Sequence, residues 1–292
     1  MKLRNLLIIT PLIVFSCNRT VTKPEEQSSP TGGTLVIGVD ESLKPFAEAE
    51  ITSFKNLYPQ SDIKALYLPE KDVIDRLKAN TLQTGIICRE LNFSEIKAIQ
   101  DSFALYPSMV KLATDAIVMA ANETNKTVSI SNIELIKILS GEISYWNQLT
   151  HGLKEKKPIV VVTTKASSVN RYASYLSDTV GLINSFALDS TTQVIDYIRK
   201  NPYSLGILGG SWFYQKGDKY SDIKIIPFLD NEECDVEEST LNRDVFAVTQ
   251  EPFNGLAYGF IAFLGSQKGQ LIISKAGMTP YRAIYREIEL TR

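Results

Sequence analysis

Residues 114–149, TDAIVMAANETNKTVSISNIELIKILSGEISYWNQL, decide the fold of this chain. The apolar run Ala116–Ala121 reads as a strand and gives way to a polar turn. Ser131-Asn-Ile-Glu134 then has the form of a capping box, in which the Ser131 hydroxyl accepts from a free amide of the first helical turn while Glu134 reaches back. Ile133, Ile136 and Leu139 follow at helical spacing, and Gly141 stops the helix. Trp146-Asn147-Gln148-Leu149 closes the segment as an aromatic plug. By itself this is one strand, one capped helix and one plug, an ordinary βα unit.

Working outward, the same alternation recurs. Thr34–Val39 and Asp62–Leu68 read as strands, with a helix of about Pro45–Tyr58 between them whose Pro45 suits a first turn. A helix at Asp72–Ala79, a strand at Gly85–Cys88 and a helix entered at Asn92 come next. Beyond the opening segment, strands are expected at Pro158–Thr163, Ser204–Leu208, Ile223–Phe228 and Val245–Thr249. Helices are expected at about Ser168–Ser177, Thr191–Lys200, Gly255–Leu264 and Gln267–Lys275. Strands alternating with helices predict a mainly parallel sheet covered on both faces.

The order of words in the opening segment resembles that of the periplasmic phosphate-binding proteins of ABC importers. The matching elements are Asp115–Val118, Ile130–Leu135, Gly141-Glu142-Ile143 and Trp146–Leu149. The resemblance continues in NPYSLGIL (Asn201–Leu208) and in the closing GFIAFLGSQKGQLIISKAGMTPYR (Gly259–Arg282). It implies an α/β, two-lobed type II binding protein, each lobe a mainly parallel sheet flanked by helices. Lobe one is expected at 34–111 plus 245–292 and lobe two at 112–244, hinged near Lys111–Asp115 and Asn242–Val245.

The 292 residues are 44% hydrophobic, enough for a substantial core. Lys2 and Arg4 precede the apolar run Leu6–Phe15, which is too short to span a bilayer and fits a secretory signal. Val14-Phe15-Ser16-Cys17 resembles a bacterial lipobox, so residues 1–16 are expected to be a lipoprotein signal peptide and Cys17 the lipidated residue. Residues 17–33 carry Pro24, Pro30, Gly32 and Gly33 without periodicity and read as a tether. Removing Lys2 and Arg4 from 31 basic residues leaves 29 against 33 acidic ones, a net charge of −4, which does not suggest a nucleic-acid surface. The remaining Cys88 and Cys234 are permitted, but not required, to pair. Cys88 reads as a small buried residue.

In open α/β sheets, ligands sit at the carboxyl ends of strands, where helix starts point free amides at an anion. Four loops qualify: Asp40–Lys44, Leu68–Lys71, Cys88–Leu91 and Thr163–Arg171. The resemblance implies oxyanion ligands among Ser42, Arg89, Ser167, Ser168, Asn170 and Arg171. Thr164 stands where the family has its clamping Arg, and a Thr supplies no bidentate fork. Asp40, Glu41, Glu70 and Glu90 also crowd these loops; taken singly, each is expected to be solvated. The expected ligand is a small oxyanion, phosphate first. The expected partners are an ABC permease and a membrane reached through the lipid, with the protein a monomer in the bacterial envelope, facing the periplasm. No cofactor, metal or catalytic residue is expected. The sole His is His151, and neither a Gly-x-Ser-x-Gly elbow nor a P-loop is present. The alternative is a binding fold turned to sensing or to an envelope interaction, with altered or lost phosphate binding.

Overall fold

The structure is a computed structural model that describes residues 29–103, 105–165, 168–169, 171, 185–214, 220–229, 241–251 and 254–282. The signal segment, Cys17, Ser167, Asn170, Cys234 and most of the helix expected at 168–177 lie outside the described residues.

β1 (Gly33–Asp40) runs parallel to β2 (Ser61–Leu68) along its whole length and to β3 (Thr84–Ile87) at its end. Gly33, counted with the tether by sequence, is the first residue of β1, and Ser29 pairs with Gly32 just before it. α1 (Lys44–Leu57) has Pro45 in its first turn and buries Phe46, Ala47 and Phe54. α2 (Glu70–Lys78) buries Val73, Ile74 and Leu77. It lies close to β1 because Gly38 has no Cβ, which would come within 3.0 Å of Val73. α3 (Phe93–Phe103) completes this half.

β4 (Ser108–Asn122) has 15 residues and is far longer than the apolar run 116–121. Its first part is masked in the sequence by Lys111, Thr114 and Asp115, polar residues that find partners on β11 (Asn242–Thr249). Lys111 Nζ lies 2.7 Å from Asp244, and the Thr114 hydroxyl donates to Asp244 at 2.8 Å. β11 is antiparallel to both β3 and β4, and the β4–β11 register shifts between Val245 and Phe246. That bulge falls where both strands were expected to cross between lobes.

The second half starts with β5 (Ile130–Ser131) and α4 (Asn132–Leu139). The capping box is present: Ser131 Oγ accepts from the Glu134 amide at 3.3 Å, and Glu134 accepts from the Ser131 amide at 2.9 Å. Gly141 takes φ 81° just past the helix end. Trp146 is fully buried and donates from Nε1 to the Tyr203 carbonyl at 2.9 Å. β6 (Val160–Thr164), β7 (Ser185–Leu188) and β8 (Ser204–Gly209) form a second parallel group, covered by α5 (Thr191–Lys200). The short α6 (Ser211–Tyr214), β9 (Ile223–Ile226) and β10 (Phe228–Leu229) follow. After β11, α7 (Leu256–Leu264), α8 (Gln267–Lys275) and β12 (Thr279–Pro280) return to the first half, where β12 pairs with β4.

The strand order is β2-β1-β3-β11-β4-β8-β6-β7, with β9 and β12 also on β4. The two parallel groups are therefore parts of one sheet, continuous through the antiparallel pair β11–β4. Each half has its own apolar core, one around Phe54, Phe260 and Leu264 and another around Trp146, Leu139 and Ile207. Among the described residues, no helix is long and apolar enough to cross a membrane.

Candidate functional site

The carboxyl ends of β1, β3 and β6 open onto one place. Asp40 ends β1 and leads into a 3-10 turn, Glu41–Leu43. Asp40 Oδ1 accepts from the Ser42 amide at 2.9 Å and also from the Ser42 hydroxyl. From the facing half, the Ser168 amide donates to Asp40 Oδ2 at 3.3 Å. Asp40, Ser42 and Ser168 are all buried.

Beneath these groups lies Arg243, from β11, with 1% of its surface exposed. Its Nη1 donates to Ser42 Oγ at 2.8 Å and to Ser168 Oγ, so one guanidinium nitrogen ties together loops from both halves. Its other edge faces Asp115, directly opposite on β4, with Nε at 3.1 Å and Nη2 at 2.6 Å from Oδ2. The Ser211 amide donates to Asp115 Oδ1 at 3.2 Å. A Cβ at Gly209 would collide with Nη2, so this position admits the guanidinium only as glycine. Burial works against the charge of Arg243, but its acidic surroundings, Asp115 and Asp40 among them, more than offset this and its pKa is raised. Burial likewise pushes the Asp115 carboxyl up, and the guanidinium opposes this. Arginine does not give up its proton in proteins, so the guanidinium stays charged against the Asp115 carboxyl.

A second ion cluster borders the first. Glu70 accepts from the Cys88 amide at 2.7 Å and from Arg171, whose Nη2 also donates to the Cys88 carbonyl at 3.2 Å. Arg89 Nε stands 3.6 Å from Glu70, but its two terminal nitrogens donate to Glu95 at 2.7 Å. Burial pushes the Cys88 thiol up to about 12, so the free side chain is a neutral thiol at neutral pH. Further across the cleft, Glu41 sits at the start of α5. It accepts from the Thr191 amide at 3.0 Å and from the Thr191 hydroxyl at 2.7 Å, a cap supplied by the other half. Burial raises the Glu41 pKa, opposed by the bonds from Thr191.

All four loops singled out from the sequence thus meet. Ser42 and Ser168 share Arg243, Arg171 lies beside them through Glu70 and Cys88, and Arg89 is turned to Glu95 at the entrance of α3. Thr164 is buried at the end of β6. The expectation that the loop acids are solvated fails for Asp40 and Glu70, which are 0% and 3% exposed, and holds for Glu90. Sequence reasoning also missed Arg243 and Asp115, because both lie inside strands. The available signal was the charged residues set beside apolar runs, Lys111 and Asp115 in one strand and Arg243 and Asp244 in the other, at the two expected lobe crossings. Trp212 was missed as well; its Nε1 donates to the Ser42 carbonyl at 2.8 Å and holds the first loop from the second half.

A continuous sheet shared by two α/β halves, with polar loops facing each other across the strand ends, defines a two-lobed solute-binding protein. A family model described as the PBP superfamily domain matches residues 24–268, and the chain belongs to this family. It is 28% identical over 210 residues to the phosphate-binding protein PstS of Bacillus subtilis, covering 71% of this chain and 66% of that relative. A Clostridium perfringens protein crystallised with bound phosphate shares the fold, with a TM-score of 0.73 at 19% identity, over 86% of this chain and all of that one. An ABC-type phosphate transport receptor from Vibrio cholerae superposes with a TM-score of 0.61 at 18% identity, over 85% of this chain and 100% of the receptor.

Proposed function

We propose that this protein captures phosphate, or an oxyanion of like shape, between its two lobes and delivers it to an ABC permease. The observation that carries this reading is Arg243 Nη1 bridging Ser42 Oγ and Ser168 Oγ. A buried guanidinium, two hydroxyls and the amides of Ser42 and Ser168 form an oxyanion cradle drawn from both halves. Arg243 supplies the charge that Thr164 does not. Of the residues proposed from sequence, Ser42 and Ser168 are direct ligands, and Arg171 is a flanking charge. Ser167 and Asn170 belong to the same loop, and Arg89 is a residue of the rim. The lobes, taken as 34–111 plus 245–292 and 112–244, close about the β4–β11 crossing. The relatives named phosphate-binding proteins, and the bound phosphate of the Clostridium perfringens structure, support the choice of ligand. Export under residues 1–16, anchoring at Cys17, a monomeric state and the absence of catalysis are parts of the same proposal.

Calorimetric titration with phosphate and sulfate tests it; no heat and no thermal stabilisation at millimolar phosphate remove it. Within it, Ser168→Ala is expected to weaken phosphate binding by about 1–3 kcal/mol, the cost of leaving a buried partner unsatisfied. Unchanged affinity would show that this loop is not the site. A second reading, a binding fold kept for sensing or for an envelope interaction, is favoured by the buried Asp40 and Glu70 on the cradle's edge. Silence toward phosphate and sulfate in a folded protein would select it.

A further inference from the structure

We infer that the Asp40 carboxylate is a built-in occupant of the oxyanion cradle, which an incoming ligand must displace. The inference rests on the oxyanion reading above and names the residue that sets its affinity. Asp40 caps its own 3-10 turn, and the bonds from the amide and hydroxyl of Ser42 are explained by that role. The third bond is not. The Ser168 amide lies 128 residues away in sequence, on the facing half, and still donates to Asp40 Oδ2 at 3.3 Å. Asp40 is thus held by donors of both halves, the same two-sided grip that an oxyanion would require.

The charges nearby agree with this. Arg243 is matched by Asp115, Arg171 by Glu70 and Arg89 by Glu95. Among the described residues, Asp40 has no cation bonded to its own carboxylate, and unlike Glu41, which caps α5, it lies where the hydroxyls of Ser42 and Ser168 converge on Arg243. An anion entering beside an intact, engaged Asp40 meets a like charge and donors already used. An anion that displaces Asp40 inherits the Ser42 amide and hydroxyl, the Ser168 amide and the hydroxyls tied to Arg243. Affinity is then reduced by the fraction of molecules in which Asp40 holds the cradle. An occupant present nine-tenths of the time lowers apparent affinity about tenfold.

The test is calorimetric titration of inorganic phosphate into the full chain and its Asp40→Asn and Asp40→Ser variants, at one pH, with folding checked by circular dichroism. Asn keeps an acceptor for the Ser42 amide while removing the charge. Both variants are expected to bind phosphate at least about tenfold more tightly than the native chain. Weaker binding by a folded variant overturns the inference, makes Asp40 a ligand-side acceptor, and leaves the phosphate reading standing. No binding by any of the three proteins removes the phosphate reading itself, and this inference with it. If both variants unfold, the native chain carrying 13C-labelled aspartate decides. Saturating phosphate is expected to move the Asp40 carboxyl resonance toward that of a solvated carboxylate, and an unmoved resonance overturns the inference.

Discussion

Arg243→Met is expected to destabilise the protein by about 3–5 kcal/mol, the largest loss foreseen for any single change at the site. The guanidinium is buried with Asp115 against it, so its removal strands a carboxylate in the interior with only the Ser211 amide as partner. Removing both charges is a different experiment. In Arg243→Met with Asp115→Leu, nothing ionic is left unpaired, and a buried ion pair replaced by apolar residues of similar volume is often neutral in stability. The double variant is therefore expected to recover most of the stability and none of the phosphate binding. Arg243→Lys separates charge from shape, because an ammonium cannot serve Asp115 along one edge and two serine hydroxyls from the other. It is expected to stay folded and to bind weakly. Urea melts and phosphate titrations of the three proteins check these outcomes. A single variant within about 1 kcal/mol of the native chain would show that Asp115 is satisfied by other means. Phosphate binding retained in the double variant would take the anion away from Arg243.

The same pair shows what was legible in the amino-acid sequence. Signals at helix ends were read correctly, whereas of the helical stripe Ile133, Ile136 and Leu139 only Leu139 is buried and Ile133 is exposed. Ser131 with Glu134 marked a helix start, Gly141 its end and Pro45 another start, because capping and backbone freedom act within a few residues of chain. Trp146 was legible as a plug because a large aromatic after a helix has few places to go but inward. What failed at the site depended on segments meeting from far apart. Asp40 and Glu70 look like solvated loop acids until Ser168 and Arg171 arrive from the facing half. Arg243 and Asp115 broke the apolar pattern and so shortened the expected strands, although each is what makes the other tolerable there. The departure at Thr164 drew attention to a missing arginine in its own loop. The charge comes instead from a strand 79 positions later, and no spacing rule links the two.

Glu50→Gln is expected to stabilise the protein at neutral pH. Glu50 lies on the buried stripe of α1 with Phe46, Ala47 and Phe54, it is 0% exposed, and neither of its carboxyl oxygens has a hydrogen-bond partner. Burial alone pushes its pKa from 4.5 to about 9. Below pH 4.5 the group is protonated in both the folded and unfolded chains and contributes no pH dependence. Between 4.5 and 9 the unfolded chain releases the proton while the native chain keeps it, so stability falls as pH rises. At about 1.4 kcal/mol per pH unit, the loss reaches about 3 kcal/mol at pH 7. Glutamine has the same shape and no proton to lose, so the variant should match the native chain near pH 4 and exceed it increasingly above that. Thermal melts from pH 4 to pH 9 measure the difference, and a Tm gain of several degrees at pH 7 is expected. Equal melting curves across this range would mean that Glu50 is charged and solvated in the folded protein. The position is far in role from the cradle, since Glu50 packs within the first half and touches none of the loop donors. A gain in stability with unchanged phosphate affinity would therefore mark Glu50 as a cost of the core, separate from the charges that the binding site requires.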